Sequence, residues 1–408
     1  MNCRGCGAPL SLPLIDLGTS PPSNAYLLAR QLEHAEQWVP LKVQVCEQCW
    51  LVQTEDYTQA DSLFDADYAY FSSFSSTWLA HAERYVHEMV ERFGLSTDSR
   101  VVEVAANDGY LLQYVAARGI ACLGVEPTHS TAQAARAKGL DIRELFFGQQ
   151  TAQSLVAEGW SADLMAANNV LAHVPDINDF LSGFATLLKP HGVATFEFPH
   201  LLTLMAGAQF DTLYHEHYSY LSLTAVQILC RRNRLRIFDV QQLPTHGGSL
   251  RVFVQRSDGP PRAIEPSVEW VLAQEQAVGV TTRAYYATLA PAAERIKHQL
   301  LSFLLQAKAE GKRVVGYGAA AKGNTLLNYA GIKTDLLASV ADASPHKQGK
   351  FLPGSRIPVI APEQLLAERP DYVLVLPWNL LDEVRRQYPQ VHEWGGRFVI
   401  AVPELTLL

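Results

Sequence analysis

The sequence has no long apolar run: its longest candidates, residues 372–376 and 314–321, are strand-length or broken by glycine, and a transmembrane helix needs about 20 residues. No membrane span is therefore expected. Basic charge is not in excess either, since 33 Lys and Arg face 41 Asp and Glu for a net charge of -8, the wrong balance for a protein built to neutralise a phosphate backbone. The N-terminus, Met1-Asn2-Cys3-Arg4-Gly5-Cys6, has no basic stretch leading into an apolar core, so no secretory signal is expected and the cytoplasm is the expected compartment. Low-complexity tracts and short-period repeats are also missing. What remains is a globular composition, 48% hydrophobic and 18% charged over 408 residues, long enough at roughly 150 residues per domain for two or three domains.

Cysteine is sparse, and four of the six fall into two C-x2-C pairs, Cys3/Cys6 and Cys46/Cys49. Two such knuckles in a reducing compartment fit tetrahedral thiolate coordination of zinc, with a redox pair or buried free thiols as the alternatives. Four sulfurs would leave no position for water, so the ion would hold the fold and do no chemistry. Cys122, in an apolar strand-like run, reads as core.

After a Pro-, Cys- and Gln-rich beginning, Tyr68, Tyr70, Phe71 and Phe74 interleave with serines, a segment that suits either a pocket lining or a packed interdomain loop. Helical spacing follows over 78–93. Strand signals at 101–105, 122–126, 142–145, 164–167 and 193–198 then alternate with helices after Gly109 and over 131–138. A second run begins at 313–316 and continues at 336–340, 372–376 and 398–402, beyond a helical stretch over 268–311. This alternation predicts an α/β protein with parallel sheets covered by helices on both faces.

Two strand ends look built for nucleotides. Val104-Ala105-Ala106-Asn107-Asp108-Gly109 is a strand–turn–helix start, and Glu126 ends the next strand 23 residues after Glu103, where a carboxylate can accept bonds from ribose hydroxyls. With Glu103 and Asp108 nearby, the turn suits a sulfonium-bearing nucleoside better than a pyrophosphate. Alanines stand where turn glycines are usual, which puts Ala105 in question. The second turn, Gly316-Tyr317-Gly318-Ala319-Ala320-Ala321-Lys322, suits a pyrophosphate cradle, and with Asp342 reaching a ribose it would equally serve a nicotinamide dinucleotide.

Phe210-Asp211-Thr212-Leu213-Tyr214-His215-Glu216-His217-Tyr218 concentrates six titratable groups in nine residues. A His-Glu-His metal site is one reading; acid–base work by a histidine oriented by a carboxylate or tyrosine, taking a carbon-bound proton beside a ketone, is the other. His173 stands at another strand mouth, as an active residue or as a structural loop histidine.

The ordered set of paired knuckles, the 68–76 segment, Glu103-x3-Asn107-Asp108-Gly109, Asn168 to Pro175, Tyr214-His215-Glu216-His217, His246-Gly247-Gly248 with Arg251, and Gly316 to Lys322 resembles the S-adenosylmethionine-dependent sugar C-methyltransferases acting on nucleotide-linked 4-keto-6-deoxysugars. The resemblance implies a zinc-binding module over 1–65, a class I methyltransferase domain over 66–265 and a Rossmann-like domain over 266–408 for the nucleotide sugar. It implies structural zinc on Cys3, Cys6, Cys46 and Cys49, and cofactor contacts from Tyr70, Ser73, Glu103, Asn107, Asp108, Gly109, Glu126, Pro127, Asn168 and Asn169. His217 is the implied base, with Tyr214, Glu216 and His173 near the sugar; Tyr68, His246, Arg251, Tyr317, Lys322, Asn324 and Asn379 are the implied substrate contacts. The implied reaction is loss of a C3 proton to give an enolate, which attacks the methyl sulfonium. C5 methylation, a nicotinamide-dependent nucleotide-sugar oxidoreductase and a non-catalytic zinc scaffold stand as the alternatives, and the nucleotide is thymidine or guanosine diphosphate.

Overall fold

A computed structural model describes residues 1–55 and 71–408. Among these the strands, in chain order, are β1 (Leu12–Ser20), β2 (Val39–Val45), β3 (Val52–Thr54), β4 (Arg100–Val104), β5 (Ala121–Val125), β6 (Ile142–Arg143), β7 (Ala162–Asn168), β8 (Leu188–Pro199) and β9 (Ser219–Tyr220). They continue with β10 (Leu235–Leu243), β11 (Ser249–Arg256), β12 (Val314–Tyr317), β13 (Val340–Ala341), β14 (Val359–Ile360), β15 (Tyr372–Val375), β16 (Arg397–Ile400) and β17 (Thr406–Leu407). The expected strand at 336–340 narrows to β13, and β10 and β11 extend the central sheet beyond the expected set.

The first sheet has the order β1-β2-β3-β9 and is antiparallel throughout. In β2 every second side chain, from Val39 to Val45, is buried, the period of a strand with one face on a core. Its fourth strand, β9, comes from far along the chain: Val52 pairs with Tyr220 and Gln53 with Ser219.

The second sheet has the order β10-β11-β8-β7-β4-β5-β6. Strands β8, β7, β4, β5 and β6 run parallel, while β11 enters between β8 and β10 antiparallel to both. The third sheet, β14-β13-β12-β15-β16-β17, is parallel except for β17 at its edge. The α/β architecture with parallel sheets follows from these pairings. The Ser76–Phe93 helix starts where the Ser75 side chain accepts the Trp78 N–H and stops at Gly94 in the left-handed region; it buries His81, Ala82, Tyr85, Val86 and Met89 along one stripe. The expected helical stretch at 268–311 resolves into Pro266–Val278, Arg283–Tyr286 and Leu289–Ala309, broken at Gly279. No helix among the described residues is long and apolar enough to cross a membrane.

The first sheet does not keep its apolar residues to itself. Leu14, Leu41 and Val43 share one core with Phe210, Ile296 and Leu326, whereas Cys3, Cys49 and Leu51 share another with Phe180 and Leu229. The first and third sheets are thereby packed onto the segment that leads through Phe210 and Leu213 to Tyr214 and His217, while the knuckles pack against the Ile177–Leu187 and Leu223–Arg232 helices.

Candidate functional site

The two knuckles fold alike. Gly7 N–H donates to Cys3 O at 2.8 Å and Trp50 N–H donates to Cys46 O at 2.8 Å, so each tight turn aims its sulfurs inward. All four Sγ atoms lie within 4.8 Å of one another, with Cys3–Cys49 and Cys6–Cys46 both at 3.5 Å. Four sulfurs about 2.3 Å from a central zinc are about 3.8 Å apart, so the set fits that ion and closes its coordination. Gln53 Nε2 donates to Cys3 Sγ at 3.2 Å, the outer-shell contact that orients a ligand.

From the knuckle the structure leads directly to the polar cluster. Arg4 donates through Nη2 to Thr54 O at 2.8 Å and through Nη1 to Pro175 O at 3.3 Å. Thr54 Oγ1 donates to His217 O at 3.2 Å, and Thr54 N–H to Tyr218 O at 3.1 Å.

The first nucleotide-type turn lies at the C-terminal ends of β4 and β5, where open sheets bind ligands. Ala105 takes φ 56 although it is not glycine, and Asn107 takes φ 48. Gly109 is required: its φ is 76, and a Cβ there would stand 2.2 Å from Leu140 Cδ1. Glu126, followed by half-buried Pro127, holds the turn by accepting Asn107 N–H and Thr128 N–H, each at 2.9 Å. Ser72 N–H donates to Asn107 Oδ1 at 2.9 Å and Ser73 N–H to Asp108 Oδ2 at 3.3 Å, which lays the 71–75 segment over the turn. Tyr68 and Tyr70 lie outside the described residues.

The two carboxylates of this turn differ from the free pair expected. Lys138 Nζ sits 3.6 Å from Asp108 Oδ2 and donates to Asp108 O at 2.7 Å, so that carboxylate is already partnered. Glu103 is fully buried, and burial drives its carboxyl well above the usual range, with the Tyr110 hydroxyl acting the other way. The turn thus does not hold two free carboxylates, and a bound cation would favour the charged form of Glu103. Asn168 ends β7 and Asn169 follows it; Asn168 Nδ2 lies 3.5 Å from the Tyr110 hydroxyl, and Asn169, at φ 57, has Nδ2 2.9 Å from His246 Nε2.

Tyr214, His217 and His173 meet. The Tyr214 hydroxyl lies 2.8 Å from His217 Nε2, and the His173 and His217 rings are 4.4 Å apart. His173 Nδ1 is 2.8 Å from Glu216 O. Burial holds His217 well below the ordinary histidine value, helped by His173, His246 and Lys322, and burial lowers His173 to about 4. Both imidazoles are therefore neutral near pH 7. Burial pushes the Glu216 carboxyl up, and Asn24 donates to its Oε1 from N at 3.3 Å and Nδ2 at 3.2 Å.

Lys322 and Asn379 are also brought together, Nζ donating to Oδ1 at 2.8 Å. Three other expected substrate contacts are occupied elsewhere. Arg251 is 2% exposed, paired with Glu197 at 3.0 Å and Glu88 at 3.4 Å. Tyr317 belongs to the core of the third sheet, its hydroxyl 3.2 Å from that of Tyr388. Asn324 is buried and donates to Ser23 O at 2.6 Å, holding the first module where a diphosphate contact was expected. His246, at φ 54, packs edge-on against Trp78.

The second turn is filled by its own chain. Asp342 Oδ2 accepts Ala319 N–H at 2.7 Å, Ala319 O accepts Tyr26 Oη at 2.5 Å and Lys347 Nζ at 2.8 Å, and a Cβ on Gly318 would stand 2.4 Å from Pro377 Cδ. Asp342 is therefore committed to the turn and not held ready for a dinucleotide ribose. Sequence reasoning also passed over Asn24 and Trp378, single polar-tipped residues whose partners lie 192 and 167 positions away.

Five parallel strands with an antiparallel hairpin at one edge, and a ligand-type turn after β4, define a class I methyltransferase domain. Family models match the chain in the same sequence: a zinc binding domain over residues 3–64, a methyltransferase domain over 78–238 and a C-methyltransferase C-terminal domain over 244–403. The chain is 34% identical over 403 residues to the C-methyltransferase NovU of Streptomyces niveus, spanning 99% of this chain and 96% of that protein, and it belongs to this C-methyltransferase family. Among solved structures, a SAM-dependent methyltransferase from Anabaena variabilis is similar over 49% of this chain and 96% of its own, at 15% identity and a TM-score of 0.39. The magnesium protoporphyrin IX methyltransferase ChlM of Synechocystis PCC 6803, solved with bound SAM, is similar over 44% of this chain and 79% of its own, at 16% identity and a TM-score of 0.35. Likeness at this level adds nothing to the sheet order itself.

Proposed function

We propose that this C-methyltransferase uses S-adenosylmethionine to methylate C3 of a nucleoside-diphosphate 4-keto-6-deoxysugar. The observation that carries the reading is the pairing of buried His217 with half-buried Tyr214, a neutral imidazole 2.8 Å from a phenol hydroxyl. A ketone at C4 acidifies the C3–H bond, and an imidazole kept neutral by burial is the form that accepts a proton.

In this reading His217 takes the C3 proton on Nε2, and Tyr214 turns its hydroxyl to the oxygen on which negative charge develops. Glu216 and His173 hold the sugar ring, while Lys322 with Asn379 meets the diphosphate as a point charge and an amide. S-adenosylmethionine supplies an electrophilic methyl group when bound. The 103–109 turn, Glu126 and the ends of β7 set where that methyl lies relative to C3, so much of the rate is positioning. Zinc on the four cysteines keeps the knuckles closed and takes no part in the reaction. The three domains, 1–65, 66–265 and 266–408, divide these tasks as metal module, donor site and nucleotide-sugar site. The oxidoreductase alternative has no support in the family.

The test is mass spectrometry of the protein with S-adenosylmethionine and thymidine- and guanosine-diphosphate 4-keto-6-deoxysugars in deuterated water. The expected result is a product heavier by one methylene, with no exchangeable deuterium at C3, and it names the nucleotide. A methyl at C5 would move the site of reaction, and no methylation of any sugar in the panel would overturn the sugar reading.

A further inference from the structure

The Phe210–Thr212 turn stands between two parts of the site that come from distant stretches of chain. Asp211 is fully buried, and its Oδ2 accepts the indole N–H of Trp378 at 2.8 Å. Trp378 in turn carries Lys322, whose ammonium lies 4.5 Å from the indole ring centre and is held laterally by Asn379. The indole is closely seated, because a Cβ on Gly247 would come within 2.8 Å of its Cη2. In the same turn the backbone of Thr212 hydrogen-bonds the His217 ring, opposing in small part the larger lowering that burial imposes on it. Thr325, one helical turn from Lys322, donates through Oγ1 to Leu213 O at 2.9 Å, which ties the Ala321–Ala330 helix to the same turn.

A fully buried carboxylate is costly, and an indole N–H alone needs only a neutral acceptor. Burial lowers the Lys322 ammonium below its ordinary value, and the nearby Asp211 carboxylate acts the other way. We propose that Asp211 is a positioning residue which, through Trp378, sets the reach of the Lys322–Asn379 pair toward a diphosphate, so that nucleotide capture and the orientation of His217 share one turn. This inference rests on the nucleotide-sugar reading above and adds to it a residue that touches neither sugar nor nucleotide.

The experiment is calorimetric binding of thymidine diphosphate and guanosine diphosphate to the full chain, as wild type, Trp378→Phe, Asp211→Asn, Asp211→Leu and the Asp211→Leu/Trp378→Phe double variant. For the nucleotide that the wild type binds, Trp378→Phe and Asp211→Leu are each expected to weaken binding about tenfold, the size of a lost hydrogen bond to a charged group. The double variant should lose no more than either single one, because both remove the same contact. Asp211→Asn, which keeps an acceptor and loses the charge, should fall between. Exchange of the C3 proton of the sugar, at saturating nucleotide sugar, should slow in the same variants. Unchanged binding in Trp378→Phe, or losses that simply add in the double variant, would overturn the inference while leaving the nucleotide-sugar reading in place. Wild-type protein that bound neither nucleoside diphosphate would overturn both.

Discussion

Asn24, carried by the metal-binding module, donates from its side-chain amide to the Glu216 carboxylate at 3.2 Å, across 192 residues of chain. The module therefore reaches into the polar cluster of the methyltransferase domain. Because Asn24 donates to the ionised form of a carboxyl that burial already pushes up, Asn24→Ala should raise it further. Turnover is expected to fall by about tenfold. The acid limb of the kcat profile should move to higher pH, measured beside Glu216→Gln, in which that limb should be missing.

With His217 held well below the ordinary histidine value, the base is neutral far into the acid range. Activity should not decline as pH falls from 8 through about 6.5, where an unperturbed histidine would gain its proton. A pH profile of kcat/KM checks this, and an inflection at the ordinary histidine value that persists in Glu216→Gln would remove His217 from the role. His217→Ala should abolish C3 proton exchange, and Tyr214→Phe should slow it by about 10²-fold.

Glu103 offers a stability test with a definite sign. Its folded value lies well above its unfolded one, so between the two the folded chain holds the extra proton and stability falls as pH rises. Glu103→Gln should flatten that slope and raise stability by about 1–2 kcal/mol at pH 8, followed by urea denaturation. The same change should weaken S-adenosylmethionine binding, and unaltered affinity would place Glu103 outside the donor site.

Zinc removal by a chelator, or Cys49→Ser, should act on the catalytic segment as well as on the knuckles. Thr54 bridges the metal module to His217 O, and β3 pairs with β9. Amide exchange at Val52, Gln53, Ser219 and Tyr220 should rise together on metal loss, along with a lower Tm. Exchange that rose at residues 52 and 53 alone would mean that β9 is held independently.

The alternation of strand and helix between residues 100 and 199 and again after 313 was legible because parallel strands buried on both faces are local apolar runs. The two-residue strand β9 was not, since its only reason to be extended is a partner more than 160 positions earlier. Tyr214 to His217 stood out through the density of titratable side chains. That Arg251, Tyr317 and Asn324 are buried against protein partners was not legible for one reason: a motif names a residue but not the face it turns to, and all three turn inward. Asp342 shows the same limit, because only coordinates reveal that the Ala319 N–H already occupies it.

The pairing of β3 with β9 bears on engineering. A donor module transplanted onto this scaffold would have to supply an edge that residues 219 and 220 can zip onto, so the cysteine-bearing segment is not an interchangeable cassette. Chimeras cut between the first two domains should succeed only when both sides of that seam are taken from the same parent.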